Sequence, residues 1–303
     1  MDDSGEGVLA EAERQRAFVW IGVTYGVALA VALGIASVWL ERHPAIHPLW
    51  VVAAADVAAT VAVFGFSFAF GNSSFYDPYW SVVPPVIAAY LALVPEAAGG
   101  DRARLLVVYS LVTLWAVRLT WNWARGWRGL EHEDWRYLDF AKRFGNAYWA
   151  VSFGGIHLFP TIQVFLACLP LYPALASPRP FGWLDGCAAV VTLTGIGFEL
   201  VADNQLRHFV RSRPPQGEIL DRGLWAWSRH PNYFGEISFW WGIWLFAMAA
   251  DASWWWTVIG PLAITLMFRF ASLPMIETRM AERRPGWASH TRRVPLLIPR
   301  PPG

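Results

Sequence analysis

The stretch 195–242 sets acids, arginines, an imidazole and an amide among residues that are otherwise apolar. Glu199 and Asp203 lie four apart, so on a helix they share one face. Both stand at the end of an apolar run, where burying two carboxylates is costly unless partners are supplied. Arginines or a polar ligand would supply them. The plain structural alternative is that they reach water or pair locally, and it weighs more for Asp203, near the helix end, than for the deeper Glu199. Downstream, Arg229-His230-Pro231-Asn232-Tyr233-Phe234-Gly235-Glu236 packs charge, amide, phenol and acid into one short string before the next apolar span. Pro231 restricts the residue before it and suits a helix start. A helix opening near Asn232 would turn free N–H groups toward an anion, with Arg229 beside them. A basic turn before a membrane helix also serves as a simple topology anchor, and these residues alone do not separate the two readings.

Other polar groups carry less. Gly195-Ile196-Gly197 lacks the third glycine of the dinucleotide fingerprint, since Leu200 follows, and no strand precedes it; a soluble dinucleotide fold is not expected. The run Glu131, His132, Glu133, Asp134 reads as the capped start of a solvated helix, more often than as a cation site. No metal is expected. Pro44 between His43 and His47 argues for a loop, and His157, in an apolar helix, for a satisfied contact inside the bundle. Cys168 and Cys187 have neither disulfide nor metal spacing and are expected to be small buried apolar residues.

The elements that must hold these groups are set by hydropathy. Of 303 residues 55% are hydrophobic and 16% charged, against about a quarter charged in soluble domains. Several runs approach or exceed the roughly 20 apolar residues that cross a bilayer core. Helices are expected at 18–40, 49–70, 80–98, 104–121, 148–176, 182–202, 236–250 and 254–273. The fold class is therefore an all-α polytopic membrane bundle of seven or eight spans, the first retained rather than cleaved. The 20 tryptophans suit the interface, as Trp20, Trp39, Trp50, Trp80 and Trp183 do near run ends. Arginine and lysine concentrate at 122–147, at 203–235 and after 274, which by the positive-inside rule places these segments and both termini in the cytoplasm. The sequon Asn72-Ser73-Ser74 then faces the cytoplasm and should carry no glycan. A net charge of +1 gives no reason to expect nucleic acid.

On these residues the chain resembles the steroid 5-alpha-reductase family, most closely its bacterial-type branch. The resemblance rests on Gly195-x-Gly197-x-Glu199-x-x-x-Asp203, Gly223-Leu224, the string 229–236, and Trp240-Trp241-Gly242. Leu273-Pro274-Met275-Ile276-Glu277 through Arg284-Pro285-Gly286 to Ile298-Pro299 adds to it, as does His132-Glu133-Asp134-Trp135-Arg136-Tyr137. It covers roughly residues 70–300. It implies family-variable membrane helices over 1–70, a catalytic membrane domain over 71–303, and NADPH in a cavity open to the cytoplasm. Asp203, Asn232 and Glu236 match positions that hold the dinucleotide. Glu199, Arg229, His230 and Tyr233 belong to the same implied set, although the family carries Asn where Glu199 stands. Trp115-Ala116-Val117-Arg118 resembles an aromatic-x-x-Arg element that contacts the cofactor. Arg118, Arg125, Arg229 and Arg269 would neutralise phosphates by charge-assisted hydrogen bonds.

The substrate acid of the family corresponds to Asp77, with Tyr76 where the family has Gln. The resemblance thus implies reduction of an activated, enone-like carbon–carbon double bond in a steroid, isoprenoid or other lipid. Asp77, with Tyr79 or Tyr76, would polarise the carbonyl. To donate a proton near neutrality Asp77 needs burial, as neighbours Phe75 and Trp80 would arrange. Two other readings stay open. One is an S-adenosylmethionine-dependent methyltransferase of the isoprenylcysteine carboxyl type, which shares an Arg-His-Pro-x-Tyr string. The other is a non-catalytic lipid-binding protein. The expected setting is a bacterial inner membrane rather than endoplasmic reticulum, with membrane lipids and a lipid-like substrate as partners.

Overall fold

The structure, a computed structural model, describes residues 3–301, with side chains described from residue 11 onward. Among these residues the regular structure is helical, with no strand. The helices are α1 (Asp3–Arg42), α2 (Pro48–Phe70), α3 (Tyr79–Leu93), α4 (Arg102–Gly126), α5 (Trp135–Phe144), α6 (Tyr148–Val151), α7 (Phe159–Cys168), α8 (Leu171–Ala176), α9 (Trp183–Arg211), α10 (Pro231–Ala250), α11 (Ile259–Met267), α12 (Leu273–Arg283) and α13 (Trp287–Arg293). Wider π-helical turns at Ser152–Leu158 and Phe268–Ser272 continue α6 into α7 and α11 into α12.

Six stretches are long and apolar enough to cross a membrane: Glu11–Arg42, Pro48–Phe70, Arg102–Gly126, Trp135–Ala176, Trp183–Arg211 and Ala252–Arg283. The protein is thus a polytopic helical membrane protein, with six of the eight expected spans meeting that standard among the described residues. The span expected at 80–98 ends early: α3 holds 15 residues and gives way to a short turn at Pro95–Gly99. At 1.5 Å per residue it reaches about 22 Å, short of a hydrocarbon core of about 30 Å. The span expected at 236–250 begins earlier, at Pro231, and gains a polar first turn. Outward-facing Val19, Leu33, Val61 and Val190 give the helices apolar surface suited to lipid, and Trp50 and Trp183 are exposed at the starts of α2 and α9. Cys168 is buried as expected, but Cys187 is exposed on α9, because the outer face of a membrane helix is apolar too.

Helix ends follow local chemistry. α2 opens with Pro48 in its first turn, and the His47 ring accepts the Leu49 N–H at 3.2 Å. It closes at Gly71, whose left-handed φ of +63° a side chain would disfavour. Asp134 caps α5 by accepting the Arg136 N–H at 2.9 Å, so the acidic run does begin a helix.

The chain packs as two compact units, residues 1–94 with 116–165 and residues 95–115 with 166–303. In the first, Ala17, Ile21, Ala59, Val63, Phe75, Tyr76, Tyr79 and Trp127 form a buried cluster. In the second, α9 and α10 meet at glycines. A Cβ on Gly195 would lie 2.6 Å from the Gly235 carbonyl oxygen and 2.7 Å from the Phe239 nitrogen, so only glycine allows this approach. This explains Gly195 without any phosphate. Also in the second unit, Arg104 and Asp185 form a fully buried, two-pronged pair, Nε to Oδ1 at 2.6 Å and Nη2 to Oδ2 at 3.0 Å. The guanidinium also donates to the carbonyls of Arg179 and Pro180. The pair ties α4 to the start of α9.

Candidate functional site

In the second unit the close α9–α10 crossing brings four expected cofactor residues to one seam. Glu199 lies against Gly235, and Asn232 Nδ2 approaches Asp203 Oδ1 at 3.4 Å. One turn along α10, Glu236 is buried, and both its oxygens are engaged. Trp115 Nε1 donates to Oε2 at 3.0 Å and Trp240 Nε1 donates to Oε1 at 2.8 Å. Trp115 stacks on Phe239 at 4.5 Å, which closes the carboxylate in aromatic walls. Glu236 therefore holds the seam together through indoles. Asn232 differs: its Oδ1 is buried and has no partner. With Nδ2 turned toward Asp203, the open atom is an acceptor. It suits a hydroxyl or amide N–H better than a phosphate oxygen.

Arg229 and His230 stand just before α10, where Pro231 occupies the first turn. Both turn to Glu277 on α12: Arg229 Nη1 donates to Oε2, and His230 Nε2 lies 2.7 Å from Oε1. The Arg229 N–H donates to the Pro295 carbonyl, and Ser228 Oγ to that of Leu297. The Arg-His pair is thus a clasp between α10, α12 and the segment beyond α13. The Tyr233 ring packs edge-on against Phe268 at 4.7 Å. A cleft of about 520 Å³ opens on the neighbouring face of α9, lined by Asn204, Gln205, His208 and Arg222 with Val201 and Phe209, and it includes none of the expected cofactor residues. Arg118 is buried on the half of α4 that belongs to the first unit.

The first unit holds two acid–phenol pairs. Tyr137 on α5 donates to Asp77 Oδ1 at 2.8 Å. Burial pushes the Asp77 carboxyl up from 3.8 to about 7, and Asp134 pushes the same way, against the Tyr137 hydrogen bond and Arg136. Asp77 can therefore hold a proton at neutral pH, as a proton donor must. Tyr76 and Tyr79 stack on each other with ring centres 4.7 Å apart, but their hydroxyls go elsewhere. Tyr76 OH meets Thr161 Oγ1 at 2.8 Å, and Tyr79 OH donates to Asp56 Oδ1 at 2.6 Å. The phenol beside Asp77 is Tyr137. The expected partners Tyr76 and Tyr79 have other hydrogen-bond partners.

Behind Asp77 runs a buried polar chain. Glu133 Oε1 accepts the Ser73 N–H at 2.7 Å and the Tyr148 hydroxyl at 3.2 Å. Ser73 Oγ lies 2.7 Å from Tyr148 OH and 2.8 Å from Ser152 Oγ. His157 Nδ1 lies 2.9 Å from the Ser152 carbonyl, which can only accept, so Nδ1 carries a hydrogen. Its Nε2 faces Ser67 Oγ at 2.9 Å. The wider π-helical turn here places the His157 ring beside the Ser152 carbonyl one turn back, the local distortion often found at functional sites. His157 is thus a satisfied bundle contact, as expected. Asn72 is buried, with Nδ2 donating to the carbonyls of Leu130 and His132, so its side chain is not offered to a glycan.

Asp56 was not singled out in the sequence, and Tyr137 and Trp115 appeared there only as members of resembling strings, without the contacts they make here. Asp56 had a signal: it is the one charged residue between 48 and 70, and an acid inside a membrane span is a functional candidate by default. The strings holding Tyr137 and Trp115 did not reveal their partners, which lie 60 and 121 residues away.

The family described as "Protein of unknown function (DUF1295)" matches residues 63–294. The chain is also similar to "Uncharacterized protein C594.04c" of Schizosaccharomyces pombe, 27% identical over 252 residues that cover 76% of this chain and 73% of that protein. No solved structure matches.

Proposed function

The chain belongs to the DUF1295 family, and from the resemblance of its motifs together with its own side chains we propose that it is an integral-membrane, NADPH-dependent reductase of an activated carbon–carbon double bond in a lipid, of the steroid 5-alpha-reductase type. The observation that carries this reading is the Asp77–Tyr137 pair, an acid able to hold its proton at neutral pH with a phenol bonded to it at 2.8 Å. A carbonyl conjugated to the double bond would accept a hydrogen bond from Asp77. As negative charge builds on that oxygen, the preorganised donor stabilises it, and the proton passes across. Tyr137, its one O–H donated to Asp77 Oδ1, holds the carboxyl in place, so the other carboxyl oxygen is the one turned to the substrate.

The test of fit for the nucleotide is Asn232. Its buried, unpartnered Oδ1 supports a ligand bearing a hydroxyl or amide donor, as a ribose or a nicotinamide amide does. Asn232 would hold the nucleotide, with Asp203, Glu199 and Tyr233 near it. Glu236, Arg229 and His230 would shape the seam through their present partners. When bound, NADPH supplies the hydride. The concentration of arginine at 122–147, at 203–235 and after 274 supports cytoplasmic termini, which requires α3 and α10 to cross as well, and a bacterial inner membrane is the proposed setting.

Purified protein in detergent should carry, or bind when added, NADPH, seen by mass spectrometry and nicotinamide fluorescence. It should oxidise NADPH only when an enone-bearing isoprenoid or sterol is present. Asp77→Asn should lower kcat by roughly a hundredfold or more, the usual weight of a general acid, with NADPH affinity unchanged. Full turnover in that variant would remove Asp77 from the chemistry. Absence of nucleotide binding, with transfer of labelled methyl from S-adenosylmethionine, would replace the reading by the methyltransferase one.

A further inference from the structure

A second feature of the first unit needs neither Asp77 nor a nucleotide. Helices α1, α2 and α3 border a cleft of about 360 Å³, within the usual range of roughly 300–1,000 Å³ for small-molecule sites. Its walls are aliphatic, with Leu29, Val52, Val83 and Ile87 among them, and no lysine or arginine lines it. One charged residue does. Asp56 sits near the middle of α2, only 5% exposed. Its Oδ1 accepts the Tyr79 hydroxyl at 2.6 Å, and its Oδ2 is buried with no partner. The Tyr25 hydroxyl at the same cleft already donates to the Phe75 carbonyl. In a membrane span no water stands ready to complete the carboxyl, so a ligand must, or the group stays unsatisfied.

We infer that this cleft binds a hydroxyl-bearing lipid, its alcohol seated on Asp56 and its hydrocarbon lying along α1 and α3. The chemistry selects an alcohol over other head groups. A phosphate or carboxylate would bring a second negative group to a cleft with no cation. A ketone or ester can only accept, so it would serve only a protonated acid. An alcohol both donates and accepts, and so completes Oδ2 whether or not it carries the proton. Tyr79 fixes the carboxyl from the other side, which leaves Oδ2 for the ligand.

The full chain in detergent micelles is exposed to a photoactivatable dodecanol and, separately, to the matching dodecane. Labelled peptides are then mapped. The alcohol should label residues 25–90 about tenfold more than the alkane, the ratio that one net hydrogen bond supplies. Excess unlabelled dodecanol should compete it away. Asp56→Leu should make the two probes equal. Val83→Trp, which fills the cleft and leaves the acid intact, should abolish labelling by both. Equal labelling of the unaltered protein by the two probes would show a groove for hydrocarbon tails only and overturn the inference. A preference for alcohol that survives Asp56→Leu would do the same. Should Asp56→Leu not fold, the two-probe comparison on the unaltered protein and Val83→Trp still decide. The outcome is independent of NADPH binding and of Asp77→Asn turnover, so failure here leaves the reductase reading untouched.

Discussion

Replacing Asp77 by Asn should change how the stability of the protein depends on pH. In the folded chain the carboxyl loses its proton at about 7, against 3.8 for an ordinary aspartate. Between those values the folded state keeps a proton that the unfolded state has released. Stability therefore falls as pH rises from about 4 to about 7, and levels above that. At about 1.36 kcal/mol per pH unit the full difference is roughly 4 kcal/mol. Asp77 keeps part of its surface exposed, and screening by solvent reduces this to about 2 kcal/mol. Asparagine has the same shape, still accepts from Tyr137, and does not titrate in this range. Asp134, Arg136 and Tyr137 are common to both proteins and largely cancel in the comparison. Thermal unfolding in detergent across pH 4–8 should show the two melting curves diverging as pH rises. Above pH 7 the variant should melt higher by roughly 4–8 °C, at about 2–4 °C per kcal/mol for a chain of this class. Parallel curves for the two proteins would refute the raised acidity constant, and with it the claim that Asp77 holds a proton at neutral pH.

Two further outcomes follow from packing. Arg104→Met should destabilise the protein by about 3–5 kcal/mol, because Asp185 is left buried and unpaired, and Arg104→Met with Asp185→Leu should recover much of that loss in the same unfolding assay. Gly195→Ala should cost about 1–3 kcal/mol by forcing α9 from α10, whereas Gly197→Ala, where no other part of the protein crowds the new carbon, should melt at or slightly above the unaltered chain, as alanine favours a helix by about 0.4–1 kcal/mol.

The helical class and most spans were legible because apolar runs of membrane length leave little choice of structure. The meeting of Glu199 and Asp203 with Asn232 and Glu236 was also legible in part, since their spacing places each pair on one helix face. The partners of Asp77 were harder to read. Tyr76 and Tyr79 are its neighbours in sequence, yet a helical turn rotates each successive residue by about 100°. They stack on one another and send their hydroxyls to Thr161 and Asp56. The phenol that reaches Asp77 comes from α5, which periodicity cannot place in space. Arg104 stands in the sequence at the edge of the apolar run 104–121, where a charge would ordinarily reach water, although in the structure it is fully buried. Nothing local distinguishes an arginine that faces water from one that meets an aspartate 81 residues on.

The clasp around Arg229 and His230 also bears on the order in which the protein comes together during synthesis. The Arg229 N–H finds its acceptor at Pro295, Ser228 at Leu297, and the His230 ring at Glu277. When α10 is synthesised none of these residues has yet been made. The start of that helix must wait, its polar groups in water, while α11 and α12 are threaded into the bilayer. Only then do residues 295–297 return to seal it. The motif most recognisable in the sequence is thus among the last parts of the protein to be finished.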